Sequence, residues 1–113
     1  RVRRASFLIV AVVLAAGAAA AGEAEWQSLT EKAIEHARLG QPAEAEAFTR
    51  MALQEALESY GENHAYTASS LHALATLLEA QARPEDAAAV YERALAVRDR
   101  VLGAGHPDTL IRL

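Results

Sequence analysis

The chain repeats itself. Displaced by 42 residues, Pro84 falls on Pro42, Ala87 on Ala45, Ala94-Leu95 on Ala52-Leu53, Gly103 on Gly61, His106 on His64, Thr109 on Thr67 and Leu113 on Leu71. The clearest copy runs from Leu71 to Thr109, LHALATLLEAQARPEDAAAVYERALAVRDRVLGAGHPDT, and reads as two amphipathic helices joined by a turn that Pro84 marks. A fixed period in this range, carried by small and apolar positions at helical spacing, marks stacked helical repeats, because each unit leaves an apolar face that only a neighbour can bury. The class of function that follows is binding through a repeat surface.

Composition agrees with thin helical layers. Of 113 residues, 52% are hydrophobic but only 5% aromatic, and much of the apolar content is alanine, which favours helix and close helix contact over a deep core. The absence of cysteine removes disulfide frameworks and thiolate metal sites. Arg1, Arg3 and Arg4 all precede the first acid, Glu23, so from Gly22 onward 8 basic residues face 15 acidic ones. A surface of that sign repels phosphate backbones, which argues against nucleic acid as a partner.

Residues 1–22, RVRRASFLIVAVVLAAGAAAAG, combine a basic start, an apolar run from Phe7 to Ala21 and small residues at its end. Those are the parts of a secretory signal peptide, with cleavage expected near Ala21. The alternative is a membrane anchor over residues 5–22, although the run is shorter than the roughly 20 apolar residues of a spanning helix. Export to the periplasm or outside the cell is the expected location, and membrane contact only if the segment stays uncleaved.

Four helices follow. The first, from Glu23 to about Leu39, places Trp26, Leu29, Ala33 and Ala37 on one face and stops at Gly40. Pro42 opens the second, which runs to about Tyr60, turns Ala45, Phe48, Ala52 and Ala56 inward, and pairs Glu46 with Arg50. The third, from about Ala65 to Gln81, buries Leu71, Leu74, Ala75 and Leu78. The fourth runs from Pro84 to a stop at Gly103 and buries Ala87, Val90, Tyr91, Ala94 and Leu95. A further helix restarts at Pro107, with Leu110, Ile111 and Leu113 at its beginning.

These residues resemble the tetratricopeptide repeat in its longer, 42-residue form, the kind found in kinesin light chains and many bacterial proteins. Leu71, Leu74, Ala75, Leu78, Ala87, Tyr91, Ala94 and Leu95 match its packing positions, and Gly103 to Thr109 match its linker. The resemblance implies an all-α, right-handed stack of antiparallel helix pairs, with a degenerate repeat over 23–64, a full repeat over 65–106 and the start of another over 107–113. In the first copy Lys32, His36 and Thr49 stand where Leu74, Leu78 and Tyr91 stand in the second, as expected of a terminal repeat. The family's concave face is lined by the first helix of each repeat. The asparagine pair that serves peptide binding in the kinesin-light-chain type is replaced here by His72-Ala73, and by Thr30-Glu31 in the first copy. The side chains expected in a partner groove are Thr30, Ile34, His72, Thr76 and Glu79, unless these are simply solvated positions of a scaffold.

Chemistry finds less support than packing. His64 and His106 occupy equivalent helix starts, where capping explains them, and neither His36 nor His72 has a second ligand one turn away. The acids lie at helix starts and outer faces, the serines lack a nucleophile elbow, and there is no Gly-rich phosphate loop. The tyrosines Tyr60, Tyr66 and Tyr91 read as packing at a helix end, a linker and a core position. The expected function is a non-catalytic, exported interaction scaffold with a protein or peptide partner and no cofactor. The alternatives are the N-terminal arm of a larger exported enzyme, for example a caspase-like peptidase, and a small helical protein that self-associates through the helix from Pro107.

Overall fold

A computed structural model of the chain describes residues 22–103. Those residues form four helices and no strand: α1 over 22–38, α2 over Pro42–Tyr60, α3 over Ala65–Ala80 and α4 over Pro84–Leu102. They make an all-α stack of two helical hairpins, about two repeats in extent. The signal peptide or anchor expected before Gly22, His106 and the helix expected from Pro107 lie outside the described residues.

Backbone chemistry fixes where the helices stop. At the α1–α2 turn the Gly40 N–H bonds the Ala37 carbonyl and the Gln41 N–H bonds the His36 carbonyl. At the α3–α4 turn the Ala82 N–H bonds Glu79 and the Arg83 N–H bonds Leu78, in the same pattern. Both are Schellman closures, which need a left-handed residue just past the helix end. Gly40 meets that need at φ 73°, whereas Ala82 sits at φ 57°, where its Cβ crowds the following carbonyl. Replacing Ala82 with glycine is therefore expected to stabilise the protein by about 0.5–1 kcal/mol, after allowing for the freer unfolded chain. Thermal unfolding followed by circular dichroism checks this: a melting temperature at or below that of the parent would show the turn to be unstrained.

Pro42 and Pro84 open α2 and α4, and neither helix has a side-chain cap. A proline in the first turn removes one of the donors a cap would satisfy. α3 begins without proline and is capped by His64, whose Nδ1 accepts the Tyr66 N–H at 3.0 Å. Capping by His64 was expected from the sequence. The linker is closed by the fully buried Thr67, whose hydroxyl donates to the Gly61 carbonyl at 2.7 Å. Gly61 and Gly103 share φ 84°, a conformation that glycine adopts without strain.

α3 is the central element. Its Leu71, Leu74, Ala75 and Leu78 are 2% exposed or less, and the leucines pack with Leu53 of α2 and with Ala87, Ala94 and Val97 of α4. On α2 the inward positions Ala45, Ala52 and Ala56 are equally buried, and their small size lets neighbouring helices approach closely. Several expected core positions differ. Ala37 is exposed, Phe48 is half-buried against the His36 ring, and Val90 and Tyr91 are half-buried. Leu95 is 42% exposed while Val97 is fully buried. The periodicity located α4's apolar face to within one position on the helix, and α3 meets the flank that carries Val97. Leu53 and Thr49 are buried although the helical periodicity of α2 did not place them on its inward face.

Glu46 was read as an outer-face acid, but its side chain is only 13% exposed. It accepts hydrogen bonds from Arg50 Nε at 2.8 Å, Gln81 Nε2 at 2.7 Å and Arg83 Nη1 at 3.1 Å, tying α2 to the α3–α4 turn. Burial pushes its carboxyl up. The bonds from Gln81 and Arg50 and the charges of Arg50 and Arg83 together outweigh that, and hold it below its usual range.

Candidate functional site

The turn lengths place α1 and α3 side by side, because each first helix of a hairpin stacks on the one before it. At one end the contact is aromatic. The Trp26 ring of α1 stacks on Tyr66 of α3 with centroids 4.1 Å apart and planes 6° from parallel, and its Nε1 donates to Ser70 Oγ at 2.8 Å. Tyr66 in turn donates its hydroxyl to Glu23 at 3.0 Å, a bond that, with burial and the Glu23 charge, raises its pKa. Tyr60 meets Tyr66 edge-on and stacks on His64, so four rings from α1, α2, the linker and α3 converge. The tyrosines Tyr60 and Tyr66 thus form one cluster, where the sequence suggested separate packing roles.

From Trp26 onward, a groove of about 230 Å³ lies between α1 and α3. Its walls come from Thr30, Ala33 and Ile34 on one side and Ser70, Ala73 and Thr76 on the other, with Thr49 and Ala52 of α2 beneath. The floor residues, Thr49 and Ala52, are small. Ile34 is 56% exposed, a large apolar side chain presented at the rim. The Thr76 hydroxyl donates to the His72 carbonyl of its own helix at 3.1 Å and lies 3.2 Å from the Tyr91 hydroxyl.

Of the five side chains expected in a groove, Thr30, Ile34 and Thr76 come together here. His72 does not: it faces Tyr91 with ring centroids 5.5 Å apart and lines a separate groove between α3 and α4. Glu79 is exposed and lines neither. The repeat register alone does not decide this, since Ile34 and Thr76 also stand 42 residues apart and yet share the α1–α3 groove. Sequence reasoning missed Trp26, Ala73 and the α2 floor. The run of small residues at 33, 37, 52 and 73 was the available signal.

This arrangement offers shape, apolar contact and neutral hydroxyls, and no reactive pair. Ser70 is occupied by Trp26. His36 Nδ1 lies 2.6 Å from Gln41 Oε1, and His64 is engaged as a cap. Among the described residues no three of His, Cys, Asp and Glu gather as metal ligands, and no helix is long and apolar enough to cross a membrane.

Comparison with curated proteins and with solved structures gives no match. A family model described as tetratricopeptide repeat matches residues 27–100, a span that runs from within α1 to within α4. That span is well over half of the chain and takes in both hairpins, so the chain belongs to the tetratricopeptide-repeat family.

Proposed function

We propose that this protein is an exported, non-catalytic scaffold that holds a protein or peptide partner in the groove between α1 and α3. Tetratricopeptide repeats generally mediate protein–protein interaction and are in general non-catalytic. The observation that carries the reading is the exposed Ile34 beside a groove lined by alanines and threonines, on a frame already set by helix packing. A preformed surface spends little free energy on ordering when it binds, so several weak contacts suffice. The 42-residue form of the repeat is supported by Pro42 and Pro84, which each open a 19-residue helix, and by the shared φ of Gly61 and Gly103.

The groove is tested by panning a random peptide library on the immobilised chain and measuring the selected peptides against variants. Ile34→Glu and Ala73→Glu are expected to weaken binding tenfold or more, about 1.4 kcal/mol, with helicity unchanged. Leu39→Glu, at a position 60% exposed and outside the groove, is expected to leave it unaltered. Selected peptides that bind all three variants equally would place recognition elsewhere. Export rests on the basic start and apolar run of residues 1–22. Expression in a secreting bacterium should yield mature protein beginning at Gly22, and recovery of the intact N-terminus in the membrane fraction would contradict cleavage.

A further inference from the structure

The α1–α3 groove is built without charge. None of the described residues lining it is ionisable, and the N–H groups of its two helical walls are bonded along α1 and α3. Of the hydroxyls on those walls, Ser70 accepts from Trp26 and Thr76 donates to the His72 carbonyl, which leaves Thr30 and Ser69 as the polar handles. A carboxylate seated here would give up water without gaining a cationic partner, and burying an uncompensated charge is costly. The volume of about 230 Å³ is also below the roughly 300–1,000 Å³ of a small-molecule site, and suits the side chain that anchors a peptide.

Charge gathers on the rest of these two helices instead. α1 and α3 carry the acids Glu23, Glu25, Glu31, Glu35 and Glu79 against the bases Lys32 and Arg38. Both bases are engaged: the Lys32 ammonium lies 5.8 Å from the centre of the Phe48 ring, and Arg38 pairs with Glu35 at 3.5 Å. Glu23 accepts the Tyr66 hydroxyl. Glu31 stands one turn before Ile34 and Glu79 one turn after Thr76; both are exposed, and neither has an ion-pair or hydrogen-bond partner among the described residues. We propose that the occupant of this groove is an internal stretch of polypeptide, not a carboxyl terminus, that seats one aliphatic or aromatic side chain beside Ile34 and carries lysine or arginine next to it. The apolar walls hold the anchor, Thr30 and Ser69 meet polar groups of the peptide backbone, and Glu31 and Glu79 meet the flanking cations. Exposed pairs of this kind add modest affinity each, but they steer the encounter and disfavour acidic competitors.

This specificity rests on the proposed function of the groove as a partner site, and the test separates the two. Two random synthetic peptide libraries, one ending in a carboxylate and one in an amide, are passed over the immobilised full chain, and binders are sorted by whether Ile34→Glu releases them. Ile34-dependent peptides are expected from both libraries, each with lysine or arginine close to an apolar anchor. Glu31→Gln and Glu79→Gln together should weaken them about threefold or more at low salt, with circular dichroism unchanged. High salt should close that gap between parent and variant. Ile34-dependent peptides that come only from the carboxylate library, carry acidic flanks, or ignore the two glutamine substitutions would overturn the proposal and leave the groove a partner site. Recovery of no Ile34-dependent peptide would overturn both.

Discussion

Leu71→Ala is expected to destabilise the protein by about 3–5 kcal/mol, the upper part of the range for a leucine removed from a packed core. Leu71 is fully buried at the middle of α3 and belongs to the cluster that joins α2 to α4. The cavity would open where both hairpins share one wall, and neither can close it without moving away from the other. For a domain of this size, total stability is on the order of 5–12 kcal/mol, so the variant should melt more than 10 °C below the parent. Leu39→Ala, at a leucine 60% exposed, should change stability by less than about 0.5 kcal/mol. Equal losses in the two variants would mean that α3 is not the shared core.

The second large effect is expected at Trp26. Truncation to alanine removes the stack on Tyr66 and leaves the Ser70 hydroxyl, on a residue 4% exposed, without its donor. Aromatic loss and an unsatisfied buried group together should cost about 2–4 kcal/mol. The effect should be local. Amide exchange in α1 should accelerate more than in α4, because the Trp26–Tyr66 stack joins α1 to α3 while α4 has its own leucine contacts. Trp26→Phe keeps a ring for stacking and should recover more than half of the loss. Uniform acceleration in both helices would show that α1 is held by something other than this junction.

How much of this was legible follows from what each residue signals locally. Pro42, Pro84, Gly40, Gly61 and Gly103 declare helix ends through their own backbone, and the observed helices begin and end within about a residue of those marks. Ala82 gave no such signal, since its left-handed φ is imposed by the closure of α3 rather than preferred by alanine. The inward face of α3 was readable because leucines at 71, 74 and 78 leave one solution. On α4, Leu95 and Val97 are both apolar and lie on opposite flanks, and only the position of α3 decides between them.

Site residues were harder to read, for the same reason. Thr30 and Ile34 lie where a first-helix surface should be, but the facing wall comes from a segment about forty residues away. Trp26 was assigned by phase to the helix's buried face. Its actual role depends on Tyr66 and Ser70, with which it has no local sequence relation. Glu46 looked like a solvated acid until the fold brought Gln81 and Arg83 to it.

The most direct test of the central claim is a map of amide shifts as a peptide selected on the intact chain is titrated in. The account predicts that the largest changes fall on Thr30, Ile34, Ala73 and Thr76, on the facing sides of α1 and α3. Changes confined to the outward faces of α2 and α4, with those four positions unmoved, would contradict it.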